Sequence, residues 1–296
     1  MITNLSQRLR LVASALTCAT TILLSLPAQA DMTTYRYGNG VTATGVLPLD
    51  LDFYETEPAC PAPRPTVLLI HGGGFRDGSR KDPPLIQLAE FLNANSYNAA
   101  SMDYRLMRDT PRPTLTVAPD FQGRDAQLTA ASAAFEDTAM AMRWLADNAQ
   151  ILCVDPTQII LWGESAGAIA ALYAAYALDT TATQRPPPIA VVSFWGGFLP
   201  HDNLKRGDPS LFLLHGSADV TVPVDQSVSL AKAAHSRGIP VHIHQVIDAG
   251  HGFAAIDPFE LTLNETPLMD HILRFLQAAQ TGQVFKSRAT EGQNPK

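Results

Sequence analysis

The sequence predicts an α/β fold, a mostly parallel central sheet with helices on both faces. Three observations carry that expectation. Strand and helix patterns alternate along most of the chain, several strand runs are short and apolar without interruption, and the residues able to do chemistry fall just past the ends of those runs. An unbroken apolar run suits a strand covered on both faces, and alternation of the two element types implies crossover connections over a parallel sheet. Ligands of such sheets bind beyond the carboxyl ends of the strands. The chain has 296 residues, 46% of them hydrophobic, enough for one large domain with a sizeable core.

Taken in order, Leu47, Leu49, Leu51 and Phe53 alternate with Pro48, Asp50, Asp52 and Tyr54, the period of two of an edge strand with one wet face. Residues 66–70 form a short apolar run, the pattern of a buried parallel strand. A helical stretch over 84–95 and a strand over 98–103 follow. An insert over 106–134, rich in Pro, Thr and Ala, separates that strand from a helix over 135–148, and is the candidate lid or acyl-pocket wall. Next come a strand ending at Trp162, a helix opening after Ser165, and strands over 189–194 and 211–214. A helix over 226–237, a strand over 240–247 and a helix over 267–277 complete the pattern.

The ends of the chain read differently. Arg8 and Arg10 precede an uncharged apolar run over 11–26, and Pro27-Ala28-Gln29-Ala30 follows. That is the plan of a secretory signal over 1–30, with cleavage expected after Ala30. The run has about 16 residues, short for a hydrocarbon core of roughly 30 Å. The expectation is export, periplasmic or secreted, with no membrane anchor after processing, a domain over 31–280 and a polar tail over 281–296. Removal of the signal leaves 19 basic and 28 acidic residues, a net charge of −9. Such a balance argues against nucleic acid or an anionic membrane surface as partner.

Processing would also leave two cysteines, Cys60 and Cys153. In an exported chain an even pair is expected to be bridged. Cys60 lies 12 residues before Gly72, and Cys153 lies 12 before Ser165. If the strands before Gly72 and Ser165 are parallel neighbours, both cysteines meet at the far end of the sheet. The alternative is two separate buried thiols.

The chemistry centres on Gly163-Glu164-Ser165-Ala166-Gly167, directly after an apolar strand pattern and before an Ala-rich helical one. A serine between two glycines at a strand-to-helix turn is exposed by a strained backbone, as a nucleophile requires. Residues 66–70 run into His71-Gly72-Gly73-Gly74-Phe75, whose consecutive glycines let backbone N–H groups converge on one point. Donors of that kind stabilise the oxyanion of acyl transfer. Asp219 is the first carboxylate beyond 211–214, whereas Asp225 reads as a helix opener. His251, among small neighbours after the last strand, is the candidate base. His242 and His244 lie within that strand and His271 on a late helix, while His71 and His215 each begin a loop that they are expected to tie down. Glu164, beside the serine, is expected to point away from the imidazole. The order Ser165, Asp219, His251 differs from the trypsin-like and subtilisin-like orders.

With these motifs the chain resembles the α/β-hydrolases of the esterase/lipase group that carry His-Gly-Gly-Gly. Within that group it is similar to small secreted carboxylesterases and to feruloyl-esterase-like (BD-FAE-like) domains. Asp103-Tyr104-Arg105 and Val154-Asp155-Pro156 match as well, and the likeness covers about 47–279. It implies an α/β-hydrolase fold, with the amides of Gly73, Gly74 and Ala166 as oxyanion donors. The long amino-terminal helical cap of hormone-sensitive-lipase relatives has no counterpart, so the cap is expected to be small or minimal.

The reading that follows is a serine carboxylic-ester hydrolase working through an acyl-enzyme on a small-molecule or polymer-linked ester. No cofactor or metal is expected, since no His-Glu-x-x-His or Cys-x-x-Cys spacing occurs. An amidase or peptidase uses the same triad and stays open, as does a non-catalytic use of the fold. The natural acyl and alcohol groups and the oligomeric state are not specified by the sequence.

Overall fold

The computed structural model describes residues 32–56, 60–115, 122–253, 256–263 and 265–283. The expected signal over 1–30, with its cleavage point after Ala30, lies outside them. So do residues 116–121 of the expected insert and 284–296 of the expected tail.

Along the chain run β1 (Met32–Thr42), β2 (Gly45–Tyr54), β3 (Arg64–Ile70), α1 (Pro83–Ala94), β4 (Asn98–Met102), α2 (Asp125–Asp147), β5 (Val154–Glu164) and α3 (Ala166–Tyr176). After the single turn α4 (Thr180–Thr183) come β6 (Ala190–Phe194), β7 (Ser210–Gly216), α5 (Asp225–Ser236) and β8 (Val241–Val246). The two-residue strands β9 (Thr262–Leu263) and β10 (Thr266–Pro267) precede α6 (Leu268–Thr281). Eight strands form one sheet in the order β1-β2-β4-β3-β5-β6-β7-β8. From β4 to β8 all neighbours are parallel, and β1 and β2 join antiparallel.

The apolar runs explain the layering. Successive side chains of a strand point to opposite faces, so Val67 and Leu69 of β3 enter one core while Leu68 and Ile70 enter the other. The first core lies under Leu85, Leu88 and Leu92 of α1 and Ile272, Phe275 and Leu276 of α6. The second lies under Phe135 and Met142 of α2, Leu172 of α3 and Leu230 of α5. Burying each aliphatic side chain contributes about 1.5–3 kcal/mol, so a strand apolar on both faces is driven to the middle of the sheet.

Two expectations are corrected. Residues 47–54 are not an edge strand: β2 lies between β1 and β4. Its alternation is real only as far as Asp50, where β1 is its sole partner; Leu51 to Tyr54 also pair with β4 and are all buried. There Asp52 is ion-paired with Arg80 at 2.9 Å. The true edge, β1, gives little apolar signal because it carries Gly38 and Gly40 among polar residues. Gly40 is required, since a Cβ there would stand 2.3 Å from Cδ of Arg105. That buried arginine reaches Asp137 of α2 at 2.7 Å and donates to Val41 O at 3.0 Å, fastening β1 to the helix. The second correction concerns the insert: residues 125–134 are the first turns of α2. Their small side chains pack closely there, with Ala130, Ala131, Ala133 and Ala134 all buried, so they carry little of the large-apolar periodicity that marks a helix in sequence.

Cys60 and Cys153 are joined by a disulfide, their Cα atoms 5.5 Å apart. They lie at the amino ends of β3 and β5, which are parallel neighbours.

Candidate active site

Ser165 occupies the turn between β5 and α3 with φ 50° and ψ −116°, a conformation L-residues rarely adopt. The flanking glycines permit it. A Cβ on Gly163 would stand 2.2 Å from Gly167 O, and one on Gly167 would stand 2.1 Å from Ile70 O. The turn is held by the Ser165 amide donating to Phe194 O (2.9 Å) and by Ile169 N donating to Ser165 O (3.0 Å).

The loops after β7 and β8 are stitched together by Ser217 N to Val246 O and Ala218 N to Ala249 O, both 2.9 Å. Asp219 and His251 are thereby brought face to face. Asp219 Oδ2 accepts from His251 Nδ1 at 2.7 Å, and His251 Nε2 lies 2.8 Å from Ser165 Oγ. A carboxylate can only accept, so the imidazole proton sits on Nδ1 and Nε2 is left to accept the serine proton. Asp219 Oδ1 takes the amides of Thr221 (2.8 Å) and Val222 (2.9 Å), while the aspartate side chain is fully buried. The His251 side chain is 24% exposed and so can meet a ligand.

His215 adds a contact that sequence reasoning missed. Its Nε2 faces Val222 O at 2.8 Å and Asp219 Oδ2 at 3.2 Å, and Nδ1 faces Ser227 Oγ at 2.7 Å. Burial lowers its pKa, which favours the neutral ring with the proton on Nε2. The expectation that His215 ties its loop down identified only half of this. His71 does tie its loop, with Nδ1 donating to Gly72 O at 2.7 Å.

Gly73 and Gly74 have φ of 104° and 62°. Tyr104 Oη donates to His71 O (2.9 Å), Gln127 Nε2 to Gly74 O (3.1 Å) and Met107 N to Phe75 O (2.8 Å). Gln127 comes from the first turn of α2, so the segment read as an insert in fact braces the glycine loop. Among the described residues the amides of Gly73, Gly74 and Ala166 donate to no backbone carbonyl, and Ala166 is the first residue of α3. Asp225 opens α5. His242 and His244 lie in β8 and His271 in α6, all among aromatic neighbours or structural bonds away from the serine. Glu164 is among the residues lining a cavity of about 420 Å³.

Comparison with known proteins shows what the chain is similar to. The family model described as BD-FAE matches residues 51–186, and that of the prolyl oligopeptidase family matches 195–276. The chain is 32% identical over 188 residues to the non-reducing polyketide synthase pkbA of Emericella nidulans, covering 57% of this chain and 7% of that protein. It is 30% identical over 132 residues to the carboxylesterase NlhH of Mycobacterium tuberculosis, covering 44% of this chain and 34% of that one. The chain thus spans well under two thirds of the curated relatives it matches. A thermophilic esterase of Thermogutta terrifontis, Est2, solved with propionate bound, shares the fold with a TM-score of 0.64 at 19% identity. The superposition covers 88% of this chain and 97% of that one.

Proposed function

We propose that the chain is an esterase-like α/β-hydrolase of the BD-FAE-like type and that it acts as a serine carboxylesterase through Ser165, His251 and Asp219. One observation carries the reading: the unbroken hydrogen-bond chain from Asp219 through His251 to Ser165 Oγ, beside a braced glycine loop.

His251 Nε2 takes the Ser165 proton as Oγ bonds to the ester carbonyl carbon, and the carbonyl π pair moves to oxygen. The amides of Gly73, Gly74 and Ala166 receive that oxyanion. Its collapse breaks the bond to the alcohol oxygen, which takes the proton back from His251. Water then repeats the cycle on the acyl-enzyme and releases the acid. Asp219 holds the imidazole in the required tautomer throughout. The Est2 structure with propionate makes short acyl groups the first to test. Acetylated and feruloylated polysaccharides follow, for a polymer-linked ester.

The export reading belongs here too. The signal-like sequence over 1–30 and the Cys60–Cys153 bridge support an oxidising, extracytoplasmic setting.

An ester panel graded by acyl length, run with Ser165→Ala as control, tests the proposal. The variant is expected to lose on the order of 10⁴-fold or more in kcat; full activity in its presence sinks the triad. The prolyl oligopeptidase match over 195–276 favours a second reading, a peptidase on the same triad. Anilide cleavage faster than that of the corresponding ester would select it.

A further inference from the structure

Beyond Gly74 the glycine loop closes on itself. Arg76 N and Asp77 N both donate to Gly73 O at 3.1 Å, which draws residues 73–77 into one tight turn. The Arg76 side chain folds back over that turn. A Cβ on Gly74 would stand 3.6 Å from its Nε, 3.8 Å from its Nη2 and 4.0 Å from Nε2 of Gln127. A guanidinium and a side-chain amide thus share the space beside one of the proposed oxyanion donors. Gly73 and Arg76 are exposed and Gly74 and Gln127 half-buried, so a ligand has access to them.

The charges around this turn favour an anion. Arg76, Arg108 and Arg124 have no ion-pair partner among the described residues. Arg124 precedes the turn of α2 that carries Gln127, whose N donates to Arg124 O at 2.8 Å. Burial above all lowers the His71 pKa, and the Arg108 charge acts in the same direction, which puts Arg108 within electrostatic reach of the loop. Of the carboxylates close in sequence to these arginines, Asp109 accepts from the Leu106 amide at 2.8 Å. Asp77 and Asp125 are exposed and ion-paired with none of the three. In a chain of net charge −7, unpaired guanidinium groups at one loop raise the local concentration of anions there.

We infer that Arg76, with Gln127 beside it, is a specificity-determining residue that recognises a carboxylate on the substrate, so that esters carrying one are preferred. This rests on the esterase reading. The guanidinium presents a planar fork of donors that matches a carboxylate. Gln127 Nε2 gives one hydrogen to Gly74 O at 3.1 Å and keeps the other for a ligand. An oxyanion about 3 Å from the Gly74 amide lies within about 9 Å of Arg76 Nε. A spacer of about two to four carbons between ester carbonyl and carboxylate fits that separation.

The test uses two substrate pairs at pH 7.5, each an anion and its uncharged methyl ketone isostere. Monomethyl glutarate against methyl 5-oxohexanoate carries the charge on the acyl group; 4-acetoxybutanoate against 5-acetoxypentan-2-one carries it on the alcohol. In one pair the kcat/KM ratio is expected to favour the anion about fivefold or more, and to shrink in about 0.5 M NaCl. It should fall at least threefold in Arg76→Gln and recover in part in Arg76→Lys. Ratios near one in both pairs, or a ratio that Arg76→Gln leaves unchanged, overturn the inference. A second arm titrates glutarate into the Ser165→Ala protein, followed by NMR, with and without Arg76→Gln. If no ester is hydrolysed, that arm decides. Binding that weakens about threefold or more with the Arg76 change keeps the carboxylate site while the esterase reading falls. Absent binding, or binding indifferent to Arg76, overturns the inference.

Discussion

Asp219 is bonded to His251 and Glu164 directly precedes Ser165 in the chain, and the fold treats these two carboxyl groups oppositely. Asp219 is buried and met by four donors, the amides of Thr221 and Val222 and the rings of His251 and His215. Glu164 is largely buried too, yet no donor meets it among the described residues, and it lines a cavity. Burial alone therefore does not decide what an acid does. Donors around it fix an anion in place, whereas their absence leaves a group that waits for a proton or a ligand. The sharpest way to break the comparison is Asp219→Asn. The amide oxygen would stay with the Thr221 and Val222 amides and turn the NH2, a donor, towards Nδ1, which loses the acceptor that sets its tautomer, so kcat should fall by about 10⁴-fold with the fold intact. Ester kinetics beside a circular dichroism melt would show it; a fall below tenfold would mean that the donors around Asp219 serve stability only.

A smaller effect is expected at His215→Asn. The shorter side chain cannot reach from β7 to both Val222 O and Asp219 Oδ2. Loss of that donor leaves the aspartate charge less satisfied and its pull on the His251 imidazolium stronger. We expect kcat to drop by about five- to tenfold with KM little changed, because the aspartate that orients His251 is held less firmly. A lowered melting temperature with kcat unchanged would assign His215 a structural role alone.

How far this contrast was legible in the sequence follows from where each partner comes from. Gly163-Glu164-Ser165-Ala166-Gly167, the glycine loop, Asp219 and His251 each sit immediately after an apolar run, so local pattern and chain order locate them. The parallel strands were legible for the same reason, because a doubly covered strand has to be continuously apolar. Strand β1 was not, since its burial depends on a close approach to Arg105 and Met140 that only the folded molecule reveals. Nor was the start of α2, where alanines packed against a neighbouring helix leave no stripe of large side chains. The braces and the cavity were hidden differently. Gln127 is 53 residues from the Gly74 carbonyl that it holds, and the walls around Glu164 come from α1, the end of β6 and the loop after His251. No spacing rule joins segments that meet only through the sheet order.

The mildest test of the comparison concerns Glu164 and stability. Its pKa rises on folding from an ordinary value near 4.5 to about 7. Between those values the folded protein holds a proton that the unfolded chain has released, so raising the pH favours unfolding across that window. The penalty is absent below about pH 4.5 and complete above about pH 7. Glu164→Gln carries no charge at any pH and escapes it. Allowing for partial solvent contact, the escape is worth about 1–2 kcal/mol, equivalent to a melting temperature higher by roughly 2–6 °C in a domain of this size. Melting curves of both proteins should therefore coincide near pH 4.5 and separate towards pH 8, with the variant the more stable. An equal difference at both pH values would show that Glu164 has found a partner in the folded state, and the contrast with Asp219 would then lose its basis.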